Sequence, residues 1–126
     1  RLQLEPLPEC FPLFEDLTNY FRGELTAFRT PYKLNGTQFQ KSVWHAIANI
    51  EYGSTVTYGE LAAIINNPRA QQAVGTACGK NPLPLIIPCH RVVAISGSGG
   101  FAWGSEAKEW LLTLEKPESE FLLHNF

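Results

Sequence analysis

A mainly α-helical fold is predicted for this chain of 126 residues. Three observations carry the prediction. Apolar residues recur at helical spacing in separate segments, threonines stand where helix N-caps are wanted, and glycines or an Asn-Asn-Pro turn close the segments. At this length one compact domain with a small appended piece is expected, and a hydrophobic content of 44% is ample for a core.

Leu2 to Pro12 is proline-rich and reads as irregular chain or a remnant of a strand. Leu13 to Phe21 repeats apolar residues at helical spacing, and Gly23 ends that helix. Phe28 to Asn35, with Pro31 inside it, reads as an extended linker. Thr37 is an N-cap for a helix whose stripe of Phe39, Val43, Trp44, Ile47 and Ile50 faces the core, with Gly53 as its stop. Thr57 caps a second short helix, Tyr58 to Ile65; Asn66-Asn67-Pro68 turns the chain, and a third helix starts at Arg69. Two short helices joined by a tight turn look like a helix-turn-helix, although an ordinary helical hairpin has the same pattern.

The third helix is unusual in carrying small residues at Ala70, Ala73, Gly75, Thr76, Ala77, Cys78 and Gly79. Such residues forfeit core burial, so either another body approaches this helix closely or it packs tightly on a neighbour. Leu83 to Ile87 is an apolar run between prolines and reads as a buried extended segment. Ser96 to Gly100 reads as a flexible loop, and Lys108 to Glu115 as a final helix with Trp110, Leu111 and Leu114 inward.

No run of about 18 apolar residues occurs, so a membrane span is not expected. Arg1 stands where an initiator methionine would, which reads as a processed or truncated product, and no signal peptide is recognised. Cys10, Cys78 and Cys89 include no close-spaced pair. A disulfide framework or metal cluster is therefore not expected, and a free thiol fits a reducing, intracellular setting, cytoplasm or nucleoid or nucleus. The formal charge of −2 does not advertise nucleic-acid binding. Its distribution differs: Arg69, Lys80 and Arg91 occur between Pro68 and Arg91 with no acid among them, while Glu106, Glu109, Glu115, Glu118 and Glu120 crowd the end. A local basic face of this kind can contact phosphates.

The stretch Ile87-Pro88-Cys89-His90-Arg91-Val92 sets one thiol between a rigid proline and two basic side chains. Cationic neighbours lower a thiol from roughly 8.5 towards neutrality, so Cys89 is expected to be a reactive nucleophile; a buried, inert cysteine is the alternative. Around it stand Thr57-Tyr58-Gly59-Glu60-Leu61-Ala62, Asn67-Pro68-Arg69-Ala70, Ala73-Val74-Gly75 and Asn81-Pro82, then Gly100-Phe101-Ala102-Trp103-Gly104, Lys108-Glu109-Trp110-Leu111-Leu112 and Glu115. In order and spacing, from about Gly36 to Glu115, this resembles the O6-alkylguanine-DNA alkyltransferases.

The resemblance implies a helical active-site domain over residues 36–126 containing the helix-turn-helix, preceded in residues 1–35 by a remnant of a small α/β domain and a linker. It implies irreversible transfer of an alkyl group from O6-alkylguanine, and also O4-alkylthymine, in double-stranded DNA onto Cys89. It further implies a monomer that acts once per chain and without a cofactor. His90 would serve as base through a water and Glu115 would orient it. Tyr58 would donate a proton to the departing guanine, and Asn81 would brace the turn before the cysteine. Pro84, Val92, Phe101, Ala102 and Trp103 would wall the pocket for an extruded base, whose flipping costs a few kcal/mol. Arg69, Ala70, Gln72, Ala73, Gly75, Lys80 and Arg91 would contact DNA, with the small helix in the minor groove.

Three departures stand out. Gln72 occupies the position where the family places an arginine that fills the gap left by the flipped nucleotide, so Arg69, three residues earlier on the same helix face, is expected to substitute in part. Phe101 replaces the usual tyrosine, and bulky Trp103 is expected to exclude groups such as benzyl. Three competing readings remain: a non-catalytic sensor of alkylated DNA, a helix-turn-helix regulator with an inert cysteine, and a thiol hydrolase using Cys89 and His90, which is the weakest because no oxyanion-hole motif is apparent.

Overall fold

A computed structural model describes residues 11–29, 32–97 and 99–116. The expected irregular segment before residue 11, Ser98 of the loop, and Glu118 and Glu120 lie outside these residues. The chain divides between Lys33 and Leu34 into two compact units.

In the first unit, α1 spans Phe11–Phe21. Gly23, at φ +77°, follows it, and the amide of Gly23 donates to the Tyr20 carbonyl at 2.9 Å. Asp16, fully buried on α1, is held by Arg29 through the backbone amide and the guanidinium, both at 2.8 Å.

Among its described residues the second unit holds four α-helices and one minimal sheet: α2 (Gln38–Ala48), β1 (Val56–Thr57), α3 (Tyr58–Ile64), α4 (Gln71–Gly79), β2 (Val92–Val93) and α5 (Ser105–Leu114). Capping boxes start α2 and α3. Thr37 and Gln40 exchange side-chain and backbone hydrogen bonds at 3.0 Å, and Thr57 and Glu60 do the same at 3.0 and 2.8 Å. α2 ends at Ala48 rather than continuing to Gly53, and Ile50 reaches the core from beyond the helix. α4 begins at Gln71, two residues later than expected, because Pro68 and Arg69 remain in the turn that Asn66, at φ +61°, opens.

Val43, Trp44 and Ile47 of α2, Leu61 and Ala62 of α3, and Val74 and Ala77 of α4 form one core with Ile87, Cys89 and Val92. The Trp44 indole N–H donates to the Ala77 carbonyl at 2.9 Å and fixes α2 against α4. β1 and β2 pair in parallel, Val56 opposite Val92 and Thr57 opposite Val93, which ties the start of α3 to the chain just after Cys89. The segment before Cys89 is not extended. Pro84 and Ile87 bridge a tight turn in which Leu85 adopts φ +80°, and Cys89–Arg91 form a single 3₁₀ turn. On α5, Leu111 is buried, but Trp110 is 53% exposed and Lys108 lies inside instead. Among the described residues no helix is long and apolar enough to cross a membrane.

Candidate active site

Two contiguous surfaces meet at Tyr58. On one side Tyr58, Arg69, Gln71, Gln72, Gly75 and Thr76 line an open groove of about 680 Å³ along α4. On the other, Tyr58, Gly75, Cys78, Gly79, Cys89, Gly100, Phe101 and Ala102 line a cavity of about 270 Å³. Tyr58 and Gly75 line both, so the small residues of α4 border the groove and the cavity alike. Cys89 is 6% exposed yet opens on the cavity.

The expectation that the adjacent basic residues lower the Cys89 thiol fails. Burial pushes the thiol above its ordinary value, against opposing contributions from the Asn81 side chain and the Lys108 charge. His90 and Arg91 turn instead to Glu115, the residue at the C-terminal cap of α5. His90 Nε2 lies 2.6 Å from Glu115 Oε2, and because a carboxylate only accepts, that nitrogen carries the proton. Arg91 donates through Nε to Oε1 at 2.7 Å and through Nη2 to Oε2 at 3.0 Å, with Nη1 on the Ile50 carbonyl at 2.7 Å. All three side chains are buried. Arg91 is therefore corrected from a DNA contact to an internal ion pair: three of its five N–H donors are committed to a carboxylate and a carbonyl, and the side chain is buried away from any phosphate.

Asn81 spans the turn before the cysteine, donating from Nδ2 to the Ile87 carbonyl at 2.7 Å and accepting the Leu83 amide at 2.9 Å. Tyr58 keeps its phenolic proton, since burial, first among its causes, raises the hydroxyl above 10.0. Of the expected pocket wall, Phe101 and Ala102 line the cavity. Val92 is fully buried in the core, while Pro84 and Trp103 do not line the cavity; Trp103 is 52% exposed and packs edge-on against Phe101, their rings 5.5 Å apart. The expected exclusion of large groups by Trp103 thus loses its basis. Ala70, Ala73 and Lys80 lie on or beside α4, Ala73 and Lys80 exposed. Arg69 shares the groove with Gln72, although from the turn ahead of α4 and not through helical spacing.

Sequence reasoning missed two residues. Lys108 is wholly buried and donates to the carbonyls of Val92 at 2.6 Å and Gly100 at 3.0 Å, clasping the cavity rim to β2. Burial lowers its ammonium from the usual lysine value. Cys78 faces the same cavity as Cys89, and burial pushes its thiol up to about 12, so it stays protonated. The signal for Lys108 was a lysine breaking the apolar stripe of α5; for Cys78 it was a polarisable residue among the small ones.

The model of the 6-O-methylguanine DNA methyltransferase DNA-binding domain matches residues 38–117, which takes in the cavity, the groove and the buried triad. The chain belongs to this family. A methylated-DNA–protein-cysteine methyltransferase of Methanosarcina acetivorans is 51% identical over 100 residues, 79% of this chain. The chain spans 64% of the length of that relative. A crystal structure of the Mycobacterium tuberculosis alkyltransferase in complex with DNA superposes with a TM-score of 0.81 at 47% identity, covering 83% of this chain and 66% of that one. Schizosaccharomyces pombe Atl1, solved with damaged DNA containing O6-carboxymethylguanine, aligns at a TM-score of 0.56 and 27% identity, covering 65% of this chain and 79% of that one. The methyltransferase family fold thus accounts for the helical unit and its cysteine-bearing turn.

Proposed function

We propose that this chain repairs DNA by taking the alkyl group of O6-alkylguanine onto Cys89. The observation that carries the reading is a nearly buried thiol opening on a cavity that adjoins the groove of a small-residue helix, with an imidazole on the same turn and its carboxylate partner brought in from the end of α5. Two structural neighbours were solved in complex with DNA, one of them with damaged DNA.

The Cys89 proton passes to His90 through an intervening water, and Glu115 stabilises the imidazolium. Sulfur attacks the alkyl carbon, an S–C bond forms as the C–O6 bond breaks, and the electron pair stays on guanine. Tyr58 donates its proton to that base and recovers one from the imidazolium, so charge and protons balance. The resting thiol sits above its ordinary value, so the base is required near neutrality. A stacked lesion cannot reach a thiol inside the cavity; the nucleotide is flipped out while α4 lies along the minor groove. The product is a stable thioether, so each chain acts once, as a monomer in a reducing compartment, and no cofactor takes part. O4-alkylthymine is a second substrate in this reading. A cavity of about 270 Å³ lies at the lower edge of ligand pockets, which run from about 300 Å³, and this supports small alkyl groups over benzyl.

The test is intact mass after incubation with an oligonucleotide containing methylated guanine. A gain of one methyl group, lost in Cys89→Ser, is expected. Unchanged mass with tight, lesion-dependent binding would replace the reading with a sensor, and unchanged mass without such binding would leave a regulator. Gln72→Arg should tighten binding to alkylated duplex and steepen its salt dependence by about one unit of log–log slope; affinity equal to that of the parent would refute the role given to this position.

A further inference from the structure

Glu115 is not a simple third member of a nucleophile–base–acid series, because its carboxylate is shared. Its Oε2 receives both His90 Nε2, at 2.6 Å, and Arg91 Nη2, at 3.0 Å, while Oε1 receives Arg91 Nε at 2.7 Å. A side-on guanidinium making two of the three contacts is the strongest partner available to a carboxylate. Arg91 is itself immobilised: Nη1 is tied to the Ile50 carbonyl at 2.7 Å, its Cζ lies 5.5 Å from the Tyr52 ring centroid, and its side chain is 7% exposed. Among the described residues the charged and titratable groups around the pair are Arg91 and Cys89 on the same turn as His90, Tyr52 from the loop after α2, and Glu115 and Lys108 of the α5 segment, the Lys108 charge acting on Cys89.

We propose that Arg91 is a positioning residue for alkyl transfer: its guanidinium holds the Glu115 carboxylate in place and balances its charge, so that a neutral imidazole can take the Cys89 proton and that proton halts on His90. The proposal rests on the alkyl-transfer reading above. A bare buried carboxylate 2.6 Å from the ring would do the opposite. Unopposed, its full negative charge would favour the imidazolium at rest, leaving no base to accept the thiol proton. With the guanidinium in place the carboxylate fixes the tautomer and ring orientation without over-stabilising the charged ring. The arrangement also explains why a basic residue follows the histidine yet points away from the cavity.

The experiment follows the transfer rate to Cys89, read by intact mass in single turnover, from acid to alkaline pH for the parent, Arg91→Met and Arg91→Lys. In Arg91→Met the acid limb of the profile should move to higher pH by about one unit, which is about a tenfold loss of rate on that limb, while the alkaline plateau falls less. Arg91→Lys restores the charge without the fork and should bring the limb back towards the parent. A merely structural role would lower the rate by the same factor at every pH; a limb that stays in place, or moves to lower pH, overturns the proposal. If Arg91→Met does not fold, Arg91→Lys still decides: its limb must lie within a few tenths of a unit of the parent's, and a displacement as large as that expected for Met overturns the role of charge. In the parent protein, infrared spectra between about pH 5 and pH 9 should show the Glu115 carboxylate ionised throughout, and a protonated-carboxyl band absent from Glu115→Gln would overturn the proposal without any variant of Arg91. Failure of the parent to gain mass at any pH would sink the alkyl-transfer reading instead, which keeps the two failures apart.

Discussion

Replacing Glu115 by glutamine should be the most damaging near-isosteric change in the buried network. The carboxylate accepts three hydrogen bonds, one from His90 and two from Arg91. An amide has a single oxygen and must place its NH₂ against at least one of these donors. At best two of the three bonds survive, and Arg91, 6% exposed, is left as a buried cation without a counter-ion. Breaking such a pair costs about 3–5 kcal/mol. A compact unit of about 90 residues has about 5–14 kcal/mol of stability in total, so the loss removes a fifth or more of it. At about 4–8 °C per kcal/mol for a domain of this size, Tm should fall by at least about 12 °C. The assay is urea and thermal unfolding of the parent, Glu115→Gln and the double variant Arg91→Met/Glu115→Gln. Because the double variant strands no charge, it should be more stable than Glu115→Gln alone, a coupling that only a contact of this kind produces. A single variant within about 1 kcal/mol of the parent, or a double variant less stable than Glu115→Gln, would refute the reasoning.

Other expectations follow from particular contacts. Gly99 has φ +80°, and a Cβ there would stand 3.0 Å from the Tyr58 hydroxyl and 3.3 Å from the Ala94 amide nitrogen, so Gly99→Ala should displace Tyr58 and slow methyl transfer about tenfold, roughly 1.4 kcal/mol; a rate equal to the parent's would show that the hydroxyl is not needed there. Asn81→Ala removes the two bonds that brace the turn before Cys89 and should lower stability by about 1–3 kcal/mol, with a larger fall in transfer rate than Leu112→Ala at the half-buried Leu112 outside the cavity; equal effects on rate would remove its special standing. The Asp16 carboxyl lies below its ordinary value of 3.8, chiefly through its bond to Arg29. A lowered folded-state value stabilises the fold above pH 3.8 and is lost as pH falls through that lowered value, so Asp16→Asn should be less stable than the parent near neutrality and converge with it in acid. A stability gap that persists in acid would contradict this.

How legible the site was depended on how far apart its partners lie. Thr37 with Gln40, and Thr57 with Glu60, meet three residues apart, so the starts of α2 and α3 could be read from contiguous sequence. The end of α2 could not: Gly53 is a stop signal, but the chain leaves the helix at Asn49 so that Ile50 can enter the core and offer its carbonyl to Arg91. The start of α4 was misread for a related reason, since Pro68 suits a first helical turn as well as the loop in which it stands.

The sequence by itself determined the mainly helical unit, the capped starts of α2 and α3 and the small-residue surface of α4, and through resemblance it put forward the set of Cys89, His90, Glu115, Tyr58 and Asn81. Only the tertiary structure decided that Arg91 turns inward, that Lys108 is buried while Trp110 and Trp103 face outward, and that Cys78 shares the cavity with Cys89. The reason is physical. Local hydrogen bonds are written within a turn of chain, whereas burial of a charge is decided by whether a partner arrives to compensate it, and for Arg91 that partner comes from 24 residues away.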